Sequence, residues 1–309
     1  MFVVNKSKIV EAKIRLPSSK SISNRVLVLN YLSNKKAKLK NLSNSNDTKI
    51  LLRALNSNSN KINIEDCGTA MRFLTAYFSI KNKDIVITGA SRMKYRPIKP
   101  LIDALNNLGA RISILDGKHL LEIKRKKLSG GSVKINADVS SQFITALLLI
   151  AHSFKNGLKI ELEGKVYSKP YINITLDLLE KYGVKYSWTN NIITVFHAKL
   201  FCNAYCVESD WSAAAFWYEI IALSKRGKVL LKGLKKSSIQ GDSVLPSVFN
   251  QLGVKTTFNR YGCLLEKHGV SIEKLEFNFR DFPDLFLPIA CTCAGLNITA
   301  NLTGLDLLP

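Results

Sequence analysis

Four apolar helical stretches recur in this 309-residue chain at nearly constant intervals, and that period constrains the fold more than any other feature. Each opens with an acidic or hydroxyl residue and continues in hydrophobic side chains: DCGTAMRFLTAYFS from Asp66, DVSSQFITALLLIAHSF from Asp138, DWSAAAFWYEIIALS from Asp210 and DLFLPIACTCAG from Asp284. The spacings are 72, 72 and 74 residues. A helix that is apolar nearly all round belongs inside a domain. A second, amphipathic helix type alternates with the first, in PLIDALNNLGARISI, INITLDLLEKYGVKYS and VLPSVFNQLGVKTTF, and there Gly109, Gly183 and Gly253 fit the left-handed position that closes a helix. Strand-like segments such as DIVITGA, GLKIELEG and GKVLLKG fill the intervals. The period therefore predicts a repeated α/β unit of strand, buried helix, strand, surface helix and further strands.

The stretch RLPSSKSISNRVLVLN, residues 15 to 30, is the first buried helix of the series, and DTKILLRALNSN is a short amphipathic partner. Buried helices then start near 19, 67, 139, 210 and 283, against four amphipathic ones. An array that buries each helix against its neighbours should not stop at NLTGLDLLP, halfway through a unit. That mismatch predicts an incomplete version of a longer protein; the alternative is a five-helix variant capped by a short strand. The length exceeds what one core usually organises, so two domains are expected.

Charge narrows the partners. Lys and Arg number 45 against 23 Asp and Glu, a formal net charge of +22. Such an excess favours anions, whether nucleic acid, acidic membrane or phosphorylated metabolite; the competing reading is a general drift toward Lys, Asn and Ile. Cys67, Cys202, Cys206, Cys263, Cys291 and Cys293 show no CxxC spacing, which predicts buried free thiols in a reducing compartment. Metal ligation by Cys202 and Cys206, or by Cys291 and Cys293, lacks a neighbouring histidine. MFVVNKSKIVEAKIRLP alternates like a strand and carries no signal-peptide apolar block, and no window reaches a membrane span. A cytoplasmic location is expected.

The chemistry gathers at helix starts, where free N–H groups and the positive dipole end favour anions. The first buried helix offers Lys20, Ser21, Asn24 and Arg25; the second begins Cys67-Gly68-Thr69, with a glycine that allows close backbone approach; the third begins Ser140-Ser141-Gln142. RMKYRP (Arg92 to Pro97) and YSKP (Tyr167 to Pro170) precede two amphipathic helices, with proline near the first turn. Serines and aspartates at such places can be plain caps. Lysine and arginine oppose the dipole there, so Lys20 with Arg25, and Arg92 with Arg96, call for an anion to neutralise them. Asp284, in DFPDLF, is either a cap or a base amid the cations. Histidines are scattered, phosphate-loop glycine patterns are missing, and KRKK at 124 to 127 is a solvated face.

LPSSKSISNR, DCGTAMRFLTA, RMKYRPIKPLIDALNNLGA, VSSQFITALLL, SKPYINITLDLLEKYGV, ESDWSAAAFWYE, QGD at 240 to 242 and FPD at 282 to 284 together resemble the 5-enolpyruvylshikimate-3-phosphate synthase family, in the family's order. The resemblance implies an α/β protein with the two-domain enolpyruvyl transferase fold, built from βαβαββ units with buried parallel helices. Residues 19–208 would form a complete upper domain of three units; 1–18 plus 209–309 would form a lower domain, incomplete. The implied reaction joins shikimate 3-phosphate to phosphoenolpyruvate and expels phosphate, with no cofactor and no metal, in a cytoplasmic monomer that needs neither nucleic acid nor membrane.

By position in these segments, the resemblance implies that Lys20 touches both substrates and moves a proton, and that Ser21 and Arg25 hold the shikimate carboxylate. Ser140, Ser141 and Ser168 would receive its phosphate, with Gln142 between the ligands and Tyr171 near the ring. Gly68 and Arg96 would hold phosphoenolpyruvate, and Asp284 would contact the shikimate hydroxyls as base. The family's later KETDR-like and DHR-like segments have no counterpart here, which predicts weak binding and little turnover by the chain alone. Two alternatives stand beside this reading: a UDP-N-acetylglucosamine enolpyruvyl transferase, whose family lacks the K-S-x-S-N-R opening, and a non-catalytic anion- or nucleic-acid-binding remnant. The aromatics of WSAAAFWYE read as core, against a stacking surface for nucleic acid.

Overall fold

The computed structural model describes residues 9–115 and 119–306, His119 by its backbone alone. The first part of the N-terminal strand-like segment, residues 1–8, and the final three residues of NLTGLDLLP lie outside the described residues. The chain forms two compact units, one of residues 1–19 and 208–309, the other of 20–207.

In chain order the elements are β1 (Ile9–Arg15), α1 (Lys20–Leu32), β2 (Lys38–Lys40), α2 (Asn46–Asn56), β3 (Lys61–Asn63), α3 (Gly68–Ser79), β4 (Ile85–Thr88), α4 (Lys99–Asn107), β5 (Arg111–Ile114), β6 (His119–Lys124), β7 (Gly131–Asn136), α5 (Ser141–Ala151), β8 (Leu158–Glu163), α6 (Lys169–Lys181), β9 (Tyr186–Thr189) and β10 (Ile192–Val195). They continue with β11 (Ala204–Cys206), α7 (Trp211–Leu223), β12 (Arg226–Lys232), α8 (Leu245–Gln251), β13 (Val254–Asn259), β14 (Gly262–Lys267), β15 (Lys274–Asn278), α9 (Phe286–Leu296) and β16 (Thr299–Thr303).

Within 20–207, two stretches follow βαβαββ order, from β3 to β6 and from β7 to β10. Their sheets repeat one plan, β3-β4-β6-β5 and β7-β8-β10-β9: the first two strands are parallel, with Lys61 opposite Val86 and Gly131 opposite Leu158, and the rest antiparallel. The parallel pairs place each crossover helix against its sheet. The remaining helices of this unit, α1 and α2, accompany a shorter parallel pair, β2 with β11. The unit of 1–19 and 208–309 uses the same plan once, as β1-β12-β14-β13, with the N-terminal strand supplying the first place through Ile9 opposite Arg226. There α9 lies between the parallel strands β15 and β16.

The expected buried helices appear as α1, α3, α5, α7 and α9. Those of 20–207 are enclosed on every side: all residues from Ala70 to Ser79 of α3 and from Phe143 to Ala151 of α5 are buried. In α7 and α9 the expectation of all-round burial fails. Trp211 and Tyr218 are core, but Phe216, Ile220, Leu223 and Leu287 are exposed, because an apolar side chain is buried only where a neighbouring element covers it. The amphipathic helices end as expected, with Gly109, Gly183 and Gly253 at φ of 100°, 83° and 85°. All six cysteines are free; Cys206 and Cys291 are exposed, contrary to the expectation that the thiols are buried.

Candidate active site

Two of the buried helices are capped one or two residues beyond the aspartate that opens the run. Cys67, not Asp66, caps α3, its Sγ accepting from the Ala70 amide at 3.2 Å, and Ser140, not Asp138, caps α5 through the Gln142 amide at 3.2 Å. Asp210 does cap α7, accepting from the Ala213 amide at 2.9 Å. Asp284 lies in a 3-10 turn, Pro283–Leu285, ahead of α9, whose N-cap position is Leu285. The RMKY segment forms its own 3-10 turn, Ser91–Tyr95, and Pro100 rather than Pro97 occupies the first turn of α4.

Two of the cations thought to need an outside anion already face a carboxylate. Lys20 Nζ stands 3.4 Å from Asp47 Oδ2, and Arg92 pairs with Asp66. Both pairs are largely exposed, so each is worth at most about 1 kcal/mol and leaves its cation open to a competing anion.

Two further cations are buried and meet neutral acceptors. Arg25 is 3% exposed on α1. Its Nε donates to Thr175 Oγ1 at 2.9 Å, Nη1 to the Ser21 carbonyl at 2.8 Å, and Nη2 to the Tyr171 carbonyl at 3.1 Å and Thr145 Oγ1 at 3.3 Å. Phe73 lies beneath the guanidinium, 5.7 Å to the ring centroid. Burial lowers its pKa to about 10, so it stays charged at neutral pH among neutral acceptors. Arg25 thus joins Ser21 of α1 to Tyr171 at the start of α6, two of the predicted site residues. Asn24, one turn on from Lys20, faces α2 as Lys20 does, accepting from Thr48 Oγ1 at 2.8 Å.

A second guanidinium, Arg72 on α3, is 6% exposed and was not singled out from the sequence. It joins three predicted residues: Nη1 donates to Gln142 Oε1 at 2.8 Å, the exposed Arg96 lowers its pKa through like charge after burial itself, and a Cβ on Gly68 would come within 2.9 Å of Nη1 and 3.8 Å of Arg96 Nη1. Lys20 meets this cluster at Cys67, whose thiol is pushed up to about 12, chiefly by burial. The starts of α3 and α5 and the segment before α4 therefore bring Gly68, Arg96, Ser140 and Gln142 into one neighbourhood. Ser168, the residue before α6, adopts φ 53° and ψ 41°, a left-handed conformation costly for a residue with a Cβ and a feature that clusters at functional sites.

Asp284 belongs to the other unit and is exposed. Its company is acidic: Asp242, of the QGD segment, is 4% exposed and accepts from Ser212 Oγ at 2.6 Å. Burial, then the charges of Asp284 and Asp210, push Asp242 up to about 7. Gln240 of the same segment ties the start of α7, accepting from the Trp211 amide at 3.1 Å and donating to the Ser209 carbonyl at 2.8 Å. The QGD segment is legible in the sequence; the burial of its carboxylate is not.

An α/β chain that repeats the βαβαββ sheet plan around enclosed helices, with cations and amide groups at their starts, has the enolpyruvyl transferase fold. A solved EPSP synthase from Acinetobacter baumannii aligns with it at a TM-score of 0.71 and 18% identity, over 92% of this chain and 70% of that one. The chain belongs to the family described as EPSP synthase (3-phosphoshikimate 1-carboxyvinyltransferase), whose profile matches residues 4–57 and 52–308. It is 44% identical over 302 residues to a 3-phosphoshikimate 1-carboxyvinyltransferase from Bacteroides fragilis and 37% identical over 324 residues to one from Haemophilus influenzae, and it spans 74% of the length of each. These matches do not favour the nucleotide-sugar or nucleic-acid alternatives. No helix among the described residues is long and apolar enough to cross a membrane.

Proposed function

We propose that the chain transfers the enolpyruvyl group of phosphoenolpyruvate to shikimate 3-phosphate, releasing phosphate, as a cytoplasmic monomer without a cofactor. Its membership of the EPSP synthase family carries this reading. A shikimate hydroxyl oxygen adds to C2 of phosphoenolpyruvate as the hydroxyl proton leaves and the methylene carbon takes up a proton; loss of a proton from the resulting methyl group, with departure of phosphate from C2, restores the double bond. Both substrates carry a phosphate and a carboxylate, so the ground state and the transition state alike are anionic and are stabilised by fixed cations and amide N–H groups.

Residues of 20–207 supply that environment in this reading. Ser140, Ser141 and Ser168 take the shikimate phosphate, Ser21 and Arg25 its carboxylate, and Tyr171 packs near the ring. Gly68 and Arg96 face phosphoenolpyruvate, Gln142 stands between the two ligands and contacts both, and Lys20 contacts both substrates and passes a proton. Arg25 acts from within the core, so its role is to hold Ser21 and Tyr171 in place as well as to supply charge. Asp284 accepts the hydroxyl proton in this reading, being an exposed carboxylate at the start of the FPD-led helix. The departure of the proton from an oxygen nucleophile is worth roughly 10²–10⁴-fold in rate.

Calorimetry with shikimate 3-phosphate and with UDP-N-acetylglucosamine, followed by phosphate release from phosphoenolpyruvate in the presence of each, tests the assignment. Saturable binding of shikimate 3-phosphate, weakened by Lys20→Ala and Ser168→Ala, is expected. Binding of the nucleotide sugar alone would overturn it.

A further inference from the structure

We propose that Arg72 is a positioning residue that fixes which end of the Gln142 amide is presented to the ligand. The inference rests on the functional reading above for the identity of that ligand. Arg72 sits inside α3, 6% exposed, with the Phe143 ring 5.3 Å from its guanidinium carbon. It spends one terminal nitrogen on Gln142 Oε1 at 2.8 Å and the other on the Pro97 carbonyl at 3.0 Å, while its Nε is buried without a partner among the described residues. Both acceptors are neutral, so the contacts made do not cancel the charge.

A buried guanidinium offers donors only, so the group that meets it must be an acceptor. Gln142 therefore turns its carbonyl oxygen to Arg72, and its amide nitrogen, which no protein acceptor among the described residues takes up, points elsewhere as a donor. At the start of α5 that donor is half-buried beside Ser140, suited to a phosphate, carboxylate or hydroxyl oxygen. The Pro97 bond ties the same guanidinium to the segment carrying Arg96. One side chain thus sets the amide of α5 and the position of an exposed arginine. Without Arg72 the amide could turn over and face an anionic ligand with an oxygen.

The test uses the whole chain, with affinity for shikimate 3-phosphate read by calorimetry and stability by thermal unfolding. Gln142→Glu gives Arg72 a charged partner, so the melting temperature should hold or rise. Affinity should still fall by roughly tenfold or more, because an acceptor oxygen now faces the ligand. Arg72→Gln should weaken binding about tenfold alone and add little in a Gln142→Ala background, since the two act as one unit. Arg72→Lys, which keeps the charge without the fork, should stay closer to Arg72→Gln than to the parent. Additive losses in the double variant, or a Gln142→Glu protein that binds as the parent does, would overturn the proposal. If Arg72→Gln does not fold, Gln142→Glu decides alone. If the parent chain binds no shikimate 3-phosphate, the functional reading falls and this inference falls with it; binding by the parent with no change in the variants removes this inference alone.

Discussion

The two units bury ionisable groups of opposite kind. The unit of 20–207 encloses two guanidiniums, Arg25 and Arg72, whose partners are hydroxyls, carbonyls and an amide, so their field remains available to a bound anion. The other unit encloses a carboxylate, Asp242, beside two more acids. They differ as well in how fully their apolar helices are covered, α3 and α5 on every side, α7 and α9 on part of their surface. Helices of similar apolar character thus reach different burial, and basic and acidic side chains alike are held in the same sheet plan. The plan supplies positions; the chemistry comes from what each module places at its helix starts.

The largest expected effect falls on the fully covered helices. Phe143 of α5 is completely buried and lies under the Arg72 guanidinium. Phe143→Ala should cost about 3–5 kcal/mol, because the site cannot collapse around the missing ring and a cation–π contact goes with it. Chemical denaturation followed by probes in each unit should show the transition of 20–207 moving while that of the other unit stays. Equal shifts would mean that the units unfold as one body and would dissolve the contrast.

Acid and base should act on the two units in opposite directions. Unfolded, Asp242 releases its proton near the ordinary 3.8; folded, it keeps it until about 7. Between those values the folded state binds more protons, so its stability falls as pH rises and levels off above about 7. Asp242→Asn removes that slope, and the gain at pH 8 should be on the order of 4 kcal/mol at most, vanishing near pH 3. His152 of the other unit is buried, its Nδ1 3.1 Å from the Ala198 carbonyl, and burial lowers its pKa from 6.5 to about 4. Unfolded chains take up that proton first, so stability there falls as pH drops from 6.5 to 4, by about 3 kcal/mol at most. His152→Asn should flatten the acid limb and leave the alkaline one untouched. Unfolding midpoints measured from pH 4 to 8 in both variants check the two signs at once.

Much of this was legible in the sequence because periodicity survives folding. A run of apolar residues followed 30 or so positions later by an amphipathic stretch closed with glycine leaves little choice of structure, and Gly109, Gly183 and Gly253 took the conformation their positions required. Caps were less legible: DCG holds two candidates and DVSS three, and backbone direction chose Cys67 and Ser140. The pairing of Lys20 with Asp47 needed a tertiary contact that no local pattern announces. Arg72 escaped notice inside AMRFLTA, although a lone cation within an otherwise enclosed helix is itself a signal, since such a group is almost never buried without partners. Ser168 gave no warning of its left-handed backbone, because serine does not advertise one as glycine does.

The smallest expected effect lies on α7, where Trp211 and Phe216 stand five residues apart in one apolar run yet are 1% and 51% exposed. From composition the two should matter equally. Burial says otherwise: Trp211 packs against Phe258 with ring centroids 6.2 Å apart inside the core, and Trp211→Ala should cost about 3–5 kcal/mol. Phe216 loses little water contact on folding, so Phe216→Ala should stay within about 1 kcal/mol of the parent, read from denaturant midpoints at constant slope. A loss at Phe216 as large as that at Trp211 would mean that this face is covered in solution, and the incomplete enclosure that separates α7 from α5 would disappear.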